Sequence, residues 1–290
     1  MKPAILVAFG LVLAFGHHAR AAGTTIAIVA AENFYGDIAR QIGGEHVTVT
    51  SILNNPDQDP HLFETTPTVA RSLSEAQFVI LNGAAYDPWM QKLLAASPRP
   101  NRVSIVAAEL VNKKAGDNPH LWYEPTTMPA VAKALAGALS KADAAHAGDY
   151  AARLKTVLES LANVDKKVAQ LRTKHAGTPV TATEPVFGYM AQALGLQMRN
   201  ERFQLSVMND TEPSAKDIAA FENDLKGRKV KLMLYNKQVA GKLTQRMLDI
   251  ARKSRVPVVG VTETEPANTT LQNWMLEQLS DVEKALATSS

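Results

Sequence analysis

The chain has 290 residues, of which 31 are lysine or arginine, 28 are aspartate or glutamate and none is cysteine. A formal net charge of +3 is too small to indicate a surface that binds nucleic acid or an anionic membrane. Without cysteine, neither disulfides, thiolate metal ligands nor a lipidated cysteine are available, so we expect a protein that no lipid anchors.

The first 21 residues resemble a secretory signal peptide. Lys2 precedes an apolar run over residues 5–15, and Ala19-Arg20-Ala21 fits the small-x-small cleavage pattern. The run is shorter than the ~20 residues of a membrane span, although a retained anchor is the alternative. Loss of Lys2 and Arg20 lowers the net charge to about +1. We expect a soluble monomer in a bacterial periplasm.

From residue 25 onward the order of predicted elements repeats. A strand over residues 25–31 leads into ENFYGDIARQIG (32–43), and a strand from Pro179 leads into EPVFGYMAQALG (184–195). The glutamate, both glycines and one alanine fall at identical spacing in the two segments, although α/β units can also look alike by chance. Alternating strands and helices favour parallel sheets with helices on both faces.

A second pair of segments supports a duplication. ETTPT (64–68) and DTEPS (210–214) each lead into a predicted helix with proline near its first turn. Each helix is followed by a strand that ends in asparagine, at Asn82 and Asn236. We therefore predict an α/β fold with two similar lobes, residues 22–143 and 177–290, whose mostly parallel sheets are flanked by helices.

A long helix is predicted between the lobes, over residues 144–176. Its apolar residues recur in steps of three and four from Tyr150 to Leu171, and no proline or glycine follows Gly148. Some 30 residues at 1.5 Å each span ~45 Å. We expect one long rigid helix that joins the lobes and resists wide hinge closure.

Two loops place a histidine directly after a proline, in Asp59-Pro60-His61 and Asn118-Pro119-His120. Proline restricts its own φ and biases the preceding residue toward extended geometry, so each imidazole leaves from a stiff loop. A single such histidine is usually a surface residue, but the repeated Pro-His-Leu-aromatic pattern favours metal ligands. The other histidines of the exported chain lie in polar or helical segments and are expected to be solvated: His46, His146 and His175.

Carboxylates of the second half could complete a site. Glu184 starts the first helix of the second lobe and Glu263 follows the strand 257–262, so both are expected where open α/β sheets bind ligands. Glu265 would point to the same side in an extended segment and is the alternative to Glu263. Glu32, the first-lobe counterpart of Glu184, is expected to be structural or to support a ligand without touching the metal.

Two imidazoles with two carboxylates suit Zn²⁺, Mn²⁺ or Fe²⁺ and disfavour copper(I). Four protein ligands close a tetrahedral site and leave no position for an activated water, which indicates capture of the ion rather than catalysis. We therefore expect a protein that is not an enzyme. The alternative is an exported metal-dependent hydrolase with a carboxylate as general base, although the sequence has no His-Glu-x-x-His motif.

On these residues, and over nearly all of the exported chain, the sequence resembles the zinc/manganese-type solute-binding proteins of bacterial ABC transporters (cluster A-I). The features that carry the resemblance are Asp59-Pro60-His61 with Glu64, the loop from Asn118 to Trp122, the long central helix, and Tyr189 five residues after Glu184.

The resemblance implies that His61 and His120 from the first lobe meet Glu184 and Glu263 from the second around Zn²⁺ or Mn²⁺, the transported ligand. It also implies delivery of the ion to an ABC permease at the inner membrane. Two departures matter: the fourth ligand of the family is usually aspartate, and its zinc members often carry a histidine-rich loop that residues 63–118 lack. With glutamate at position 184, the pattern tilts toward manganese.

Overall fold

The computed structural model describes residues 25–56, 63–239 and 241–288. The expected signal peptide lies outside these residues, and so does His61 with its loop. The expected α/β fold with two similar lobes is confirmed. Two four-stranded sheets with the same spatial order of strands are connected through a long helix.

The first lobe is a parallel sheet flanked by helices. Its strands are β1 (Ile26–Glu32), β2 (Val47–Leu53), β3 (Phe78–Leu81) and β4 (Val103–Val106), in the order β2-β1-β3-β4. Its helices are α1 (Asn33–Gly43), α2 (Pro67–Glu75), α3 (Pro88–Ala96), α4 (Ala107–Leu110) and α5 (Thr127–Ala142). The sequence of β1, IAIVAAE, is apolar almost throughout because helices cover both faces of a central parallel strand.

The helix α6 (Ala147–His175) confirms the long connection between the lobes. Its 29 residues extend over about 44 Å. A 3-10 turn (Ala144–His146) precedes it, so the helix begins three residues later than predicted. One face of the helix is buried: Tyr150, Val157, Leu161, Val164, Val168 and Leu171.

The second lobe repeats the first. Its strands are β5 (Pro179–Ala182), β6 (Gln197–Arg199), β7 (Leu232–Asn236) and β8 (Val258–Val261), parallel and in the order β6-β5-β7-β8. Its helices are α7 (Gly188–Ala193), α8 (Glu201–Met208), α9 (Ala215–Lys226), α10 (Lys242–Lys253) and α11 (Leu271–Thr288).

The two lobes differ where the sequence predicts matching helices. The 11-residue α1 of the first lobe corresponds to a 3-10 turn (Pro185–Phe187) followed by the six-residue α7. The carbonyl of Pro185 accepts hydrogen bonds from the N–H of Gly188 and from the side chain of Asn118 in the first lobe. These two bonds favour a tight i→i+3 turn at this point.

A continuous apolar core joins the lobes. The ring centroid of Phe34 in α1 lies 4.7 Å from that of Trp122 and 6.2 Å from that of Trp274 in α11. The ring centroids of Tyr123 and of Phe187 in the second lobe are 5.1 Å apart. The last helix, α11, packs against both α6 and α1. This shared core opposes wide separation of the lobes. Among the described helices, none has the length and apolar character needed to cross a bilayer.

Candidate metal centre

His120 lies in the segment between α4 and α5, and its side chain is fully buried. The Nδ1 atom is 2.6 Å from Oδ1 of Asn118, which can only accept a hydrogen bond. This contact places the proton on Nδ1 and leaves the lone pair on Nε2, the form of histidine that binds metals. Among the described residues, Nε2 has no hydrogen-bond partner, and it lies 3.5 Å from Oε2 of Glu263.

Asn118 connects this histidine to the second lobe. While Oδ1 faces His120, Nδ2 donates to the carbonyl of Pro185 at 2.8 Å, and the backbone carbonyl accepts from the hydroxyl of Tyr189 at 2.8 Å. A Cβ at Gly188 would lie 2.9 Å from Asn118 Nδ2, so a larger residue there would displace this amide. The orientation of the first-lobe imidazole therefore depends on contacts with the second lobe.

Glu184 and Glu263 meet at the side chain of Asn236, the last residue of β7. Asn236 Nδ2 donates to Oε2 of Glu184 at 2.8 Å and to Oε1 of Glu263 at 2.6 Å. The hydroxyl of Tyr86, from the first lobe, donates to Oε2 of Glu263 at 2.9 Å. Both glutamates follow strands at the carboxyl edge of the second sheet, where open α/β sheets bind their ligands.

The backbone around Glu263 is held by the neighbouring loop. The side-chain oxygen of Gln238 accepts a hydrogen bond from the backbone N–H of Glu263 at 2.5 Å. The backbone N–H of Gln238 donates to Oδ1 of Asn236 at 3.0 Å. The same short segment therefore positions the backbone of Glu263 and the amide that bonds its carboxylate.

Glu265 is oriented by different contacts. Its backbone N–H and carbonyl both bond to the side chain of Asn33. Burial, followed by the charge of Asp37, raises the pKa of its carboxyl to about 8, while Arg40 acts in the opposite direction. Bends at positions 263 and 264 end the extended geometry, so the two glutamates do not share a face. Of the two alternatives that the sequence leaves open, Glu263 is the one beside His120.

The separation between His120 and Glu263 matches the dimensions of a metal site. Two ligand atoms bound at 2.0–2.2 Å in a tetrahedral arrangement lie roughly 3.3–3.6 Å apart, and the distance observed between Nε2 and Oε2 is 3.5 Å. The donors to the carboxyl groups, Asn236 and Tyr86, are neutral and bring no positive charge to the site. Among the described residues, no group of three or more histidine, aspartate or glutamate side chains is arranged to hold a metal ion, and His61 lies outside those residues.

His46 departs from the expectation that it is solvated, whereas the side chain of His146 keeps 35% of its surface exposed. His46 is largely buried and stacks on His146, with ring centroids 3.9 Å apart, at the junction of α5 and α6. Each imidazole has a carboxylate partner, Asp149 for His46 and Asp143 for His146. The prediction fails here because residues about 100 positions apart come together only in the folded lobe.

Sequence reasoning missed four residues that organise the site: Tyr86, Asn118, Asn236 and Gln238. The sequence did contain signals for the asparagines. Asn236 and its first-lobe counterpart Asn82 stand at the ends of matching strands, and Asn118 belongs to the second Pro-His loop. No local pattern marks Tyr86 or Gln238, because their contacts with Glu263 span 177 and 25 residues.

Comparison with known proteins identifies a matching family and several related proteins. The profile of the family described as ZnuA, zinc-uptake complex component A, periplasmic, matches residues 28–285. The manganese ABC transporter substrate-binding lipoprotein PsaA of Streptococcus mitis is 26% identical over 201 residues, which are 63% of this chain and 64% of that protein. The manganese-binding lipoprotein MntA of Bacillus subtilis is 23% identical over 245 residues, 81% of this chain and 78% of that protein. The chain thus spans slightly less than two thirds of the first of these relatives.

Solved structures share the fold. The periplasmic zinc-binding protein TroA from Treponema pallidum matches with a TM-score of 0.75 at 18% identity, over 90% of this chain and 99% of that chain. A crystal structure of ZnuA matches with a TM-score of 0.71 at 21% identity, over 91% and 98% of the respective chains.

Proposed function

Since this chain belongs to the ZnuA family of periplasmic zinc-uptake components, we propose that it is the receptor of a bacterial ABC importer that captures a divalent transition metal between its lobes. The observation that carries the proposal is the meeting of His120 from the first lobe with Glu263 from the second, at 3.5 Å, in a buried setting. After export to the periplasm, the monomeric receptor delivers its ion to a permease in the inner membrane.

We propose His120, Glu184 and Glu263 as ligands, with His61 as the fourth. His120 supplies Nε2, because Asn118 occupies Nδ1. Glu263 supplies Oε2, which faces His120, and Asn236 holds one oxygen of each glutamate so that the other oxygen can turn to the ion. His61 is included because its Pro-His loop matches the loop of His120 in sequence.

Zinc and manganese are both candidates for the cargo. Manganese is favoured by the two carboxylates, since hard oxygen donors suit Mn²⁺, and by the manganese relatives PsaA and MntA. Zinc is favoured by the general affinity order of divalent metals, which places Zn²⁺ above Mn²⁺ for nitrogen and oxygen ligands. The proposed ligand set closes the site, so we propose capture without catalysis; nothing in the described residues favours the hydrolase alternative.

Calorimetric titration of the exported, metal-stripped protein with Zn²⁺ and with Mn²⁺ tests the proposal. We expect one ion per chain, and we expect His61→Ala and His120→Ala each to weaken binding by more than about tenfold. His175→Ala, at the end of α6, is the matched control and should bind as wild type does. Failure of the wild-type protein to bind either metal at neutral pH would refute the function. Full affinity in both ligand variants would place the site elsewhere.

A further inference from the structure

Glu32, the last residue of β1, is a buried carboxyl that the proposed ligand set does not use. Its side chain is fully inaccessible to solvent, and neither Oε1 nor Oε2 has a hydrogen-bond partner among the described residues. A buried polar group without a partner costs about 1–3 kcal/mol, and more when it is charged. Such groups are rare in folded proteins and call for an explanation such as a bound ion.

The duplication shows what Glu32 lacks. It corresponds to Glu184, and β1 and β5 hold the same place in their sheets. In the second lobe, Asn236 at the end of β7 donates to Glu184. In the first lobe, the equivalent Asn82 uses its Nδ2 for the carbonyls of Gly83 and Pro119. Glu32 therefore lacks the amide donor that Glu184 has.

Glu32 also lies next to the candidate centre. The side chain of Asn33, the residue after Glu32, bonds both the backbone N–H and the carbonyl of Glu265, two residues beyond Glu263. The carboxyl end of β1, where Glu32 lies, therefore adjoins the segment that carries Glu263.

A second acidic group, that of Asp87, acts on the charge of Glu32. Burial raises the pKa of the Glu32 carboxyl well above its ordinary value, and the charge of Asp87 raises it further. The carboxylate of Asp87 accepts backbone N–H groups of Asn82 and Gly83, at 2.7 and 2.8 Å, so it has its own partners. An arriving divalent cation would offset the repulsion between these two groups.

We propose that Glu32 is an additional oxygen ligand, beside His120, Glu184 and Glu263, and that it sets the preference of the site for manganese. The inference rests on the proposed function. Zn²⁺ is satisfied by four ligands in a tetrahedron, whereas ions that favour oxygen ligands, such as Mn²⁺, adopt octahedral coordination. An extra carboxylate from the first lobe can therefore bind Mn²⁺, whereas tetrahedral Zn²⁺ has no need of a fifth ligand.

The test compares Glu32→Gln with wild type by calorimetric titration with Mn²⁺ and with Zn²⁺. Glutamine keeps the shape of the side chain and removes its charge. We expect the affinity for Mn²⁺ to fall by about tenfold or more, while that for Zn²⁺ changes by less than about threefold. The matched control is Glu222→Gln, because Glu222 in α9 is also a buried glutamate but is paired with Lys226 and Arg246. The control should bind both metals as wild type does.

Two outcomes would overturn this inference alone: unchanged Mn²⁺ affinity in Glu32→Gln, or an equal loss for both metals while wild type binds them. Failure of the wild-type protein to bind any metal would instead refute the proposed function as well. A crystal structure of the Mn²⁺-loaded wild-type protein gives an answer that does not depend on how the variant folds. Direct contact between a Glu32 oxygen and the ion supports the inference, and absence of that contact overturns it.

Discussion

Replacing Asn236 by alanine tests whether the second lobe holds its two carboxylates ready for a cation. Nδ2 of Asn236 donates to Glu184 at 2.8 Å and to Glu263 at 2.6 Å, inside a buried site. Hydrogen bonds to charged groups contribute about 1.5–3 kcal/mol each. Without the amide, the metal-free protein must hold two neighbouring carboxylates against their mutual repulsion.

Two opposite effects on metal affinity follow from this change. Loss of the donor leaves the carboxylates with more charge for the ion, which strengthens binding, but it also removes the group that fixes their orientation. Orientation should dominate, because Oε1 of Glu263 is held by Asn236 while Oε2 of the same carboxylate faces His120. Loss of an orienting group of this kind typically weakens metal binding 10- to 100-fold, or about 1.4–2.8 kcal/mol.

The assay is calorimetric titration of Asn236→Ala with Zn²⁺ and Mn²⁺, beside a circular dichroism spectrum to show that the variant folds. Asn163→Ala, at an exposed position of α6, is the matched control and should not change affinity. A folded Asn236→Ala protein whose affinity for both ions stays within about threefold of wild type would refute the reasoning.

Two further predictions concern the packing between the lobes. Phe34→Ala removes a fully buried ring that contacts Trp122, and should lower the free energy of unfolding by about 3–5 kcal/mol in urea denaturation; a loss below about 1 kcal/mol would show that this core is not shared. Hydrogen bonds from Lys167 and then Lys174 lower the pKa of Glu283 to about 2. The stability that this gives is present above the ordinary pKa near 4.5 and is lost as the pH falls toward 2. Glu283→Gln should therefore cost roughly 1 kcal/mol at pH 7 in low salt and nothing at pH 2; an equal cost at both pH values would contradict the assignment.

Much of the fold could be predicted because the sequence contains an internal repeat. The matching segments at 32–43 and 184–195 predicted two lobes, and both sheets have the same strand order. The long helix was predictable because its apolar face continues from Tyr150 to Leu171 without a break, and those residues are buried. Such patterns depend only on residues close together in the sequence, where the period of the helix or strand decides which side chains share a face.

The arrangement of the site could be predicted only in part. Strand ends pointed to Glu184 and Glu263 as neighbours, but the choice between Glu263 and Glu265 depends on bends that side-chain contacts with Gln238 and Asn33 impose. The role of Asn236 as a common donor depends on the packing of three strand ends, which no spacing in the sequence reveals. Pairing of distant polar groups is decided by tertiary structure and has no local signal.

The central claim is that one divalent ion binds between the lobes to His120, Glu184 and Glu263. Anomalous X-ray diffraction from crystals of the exported protein loaded with Zn²⁺ tests this most directly, because it locates the ion independently of any assumption about its ligands. We expect a single strong peak with Nε2 of His120 and oxygens of both glutamates about 2.0–2.2 Å away. A peak bound to other residues, or one that touches side chains of a single lobe, would contradict it.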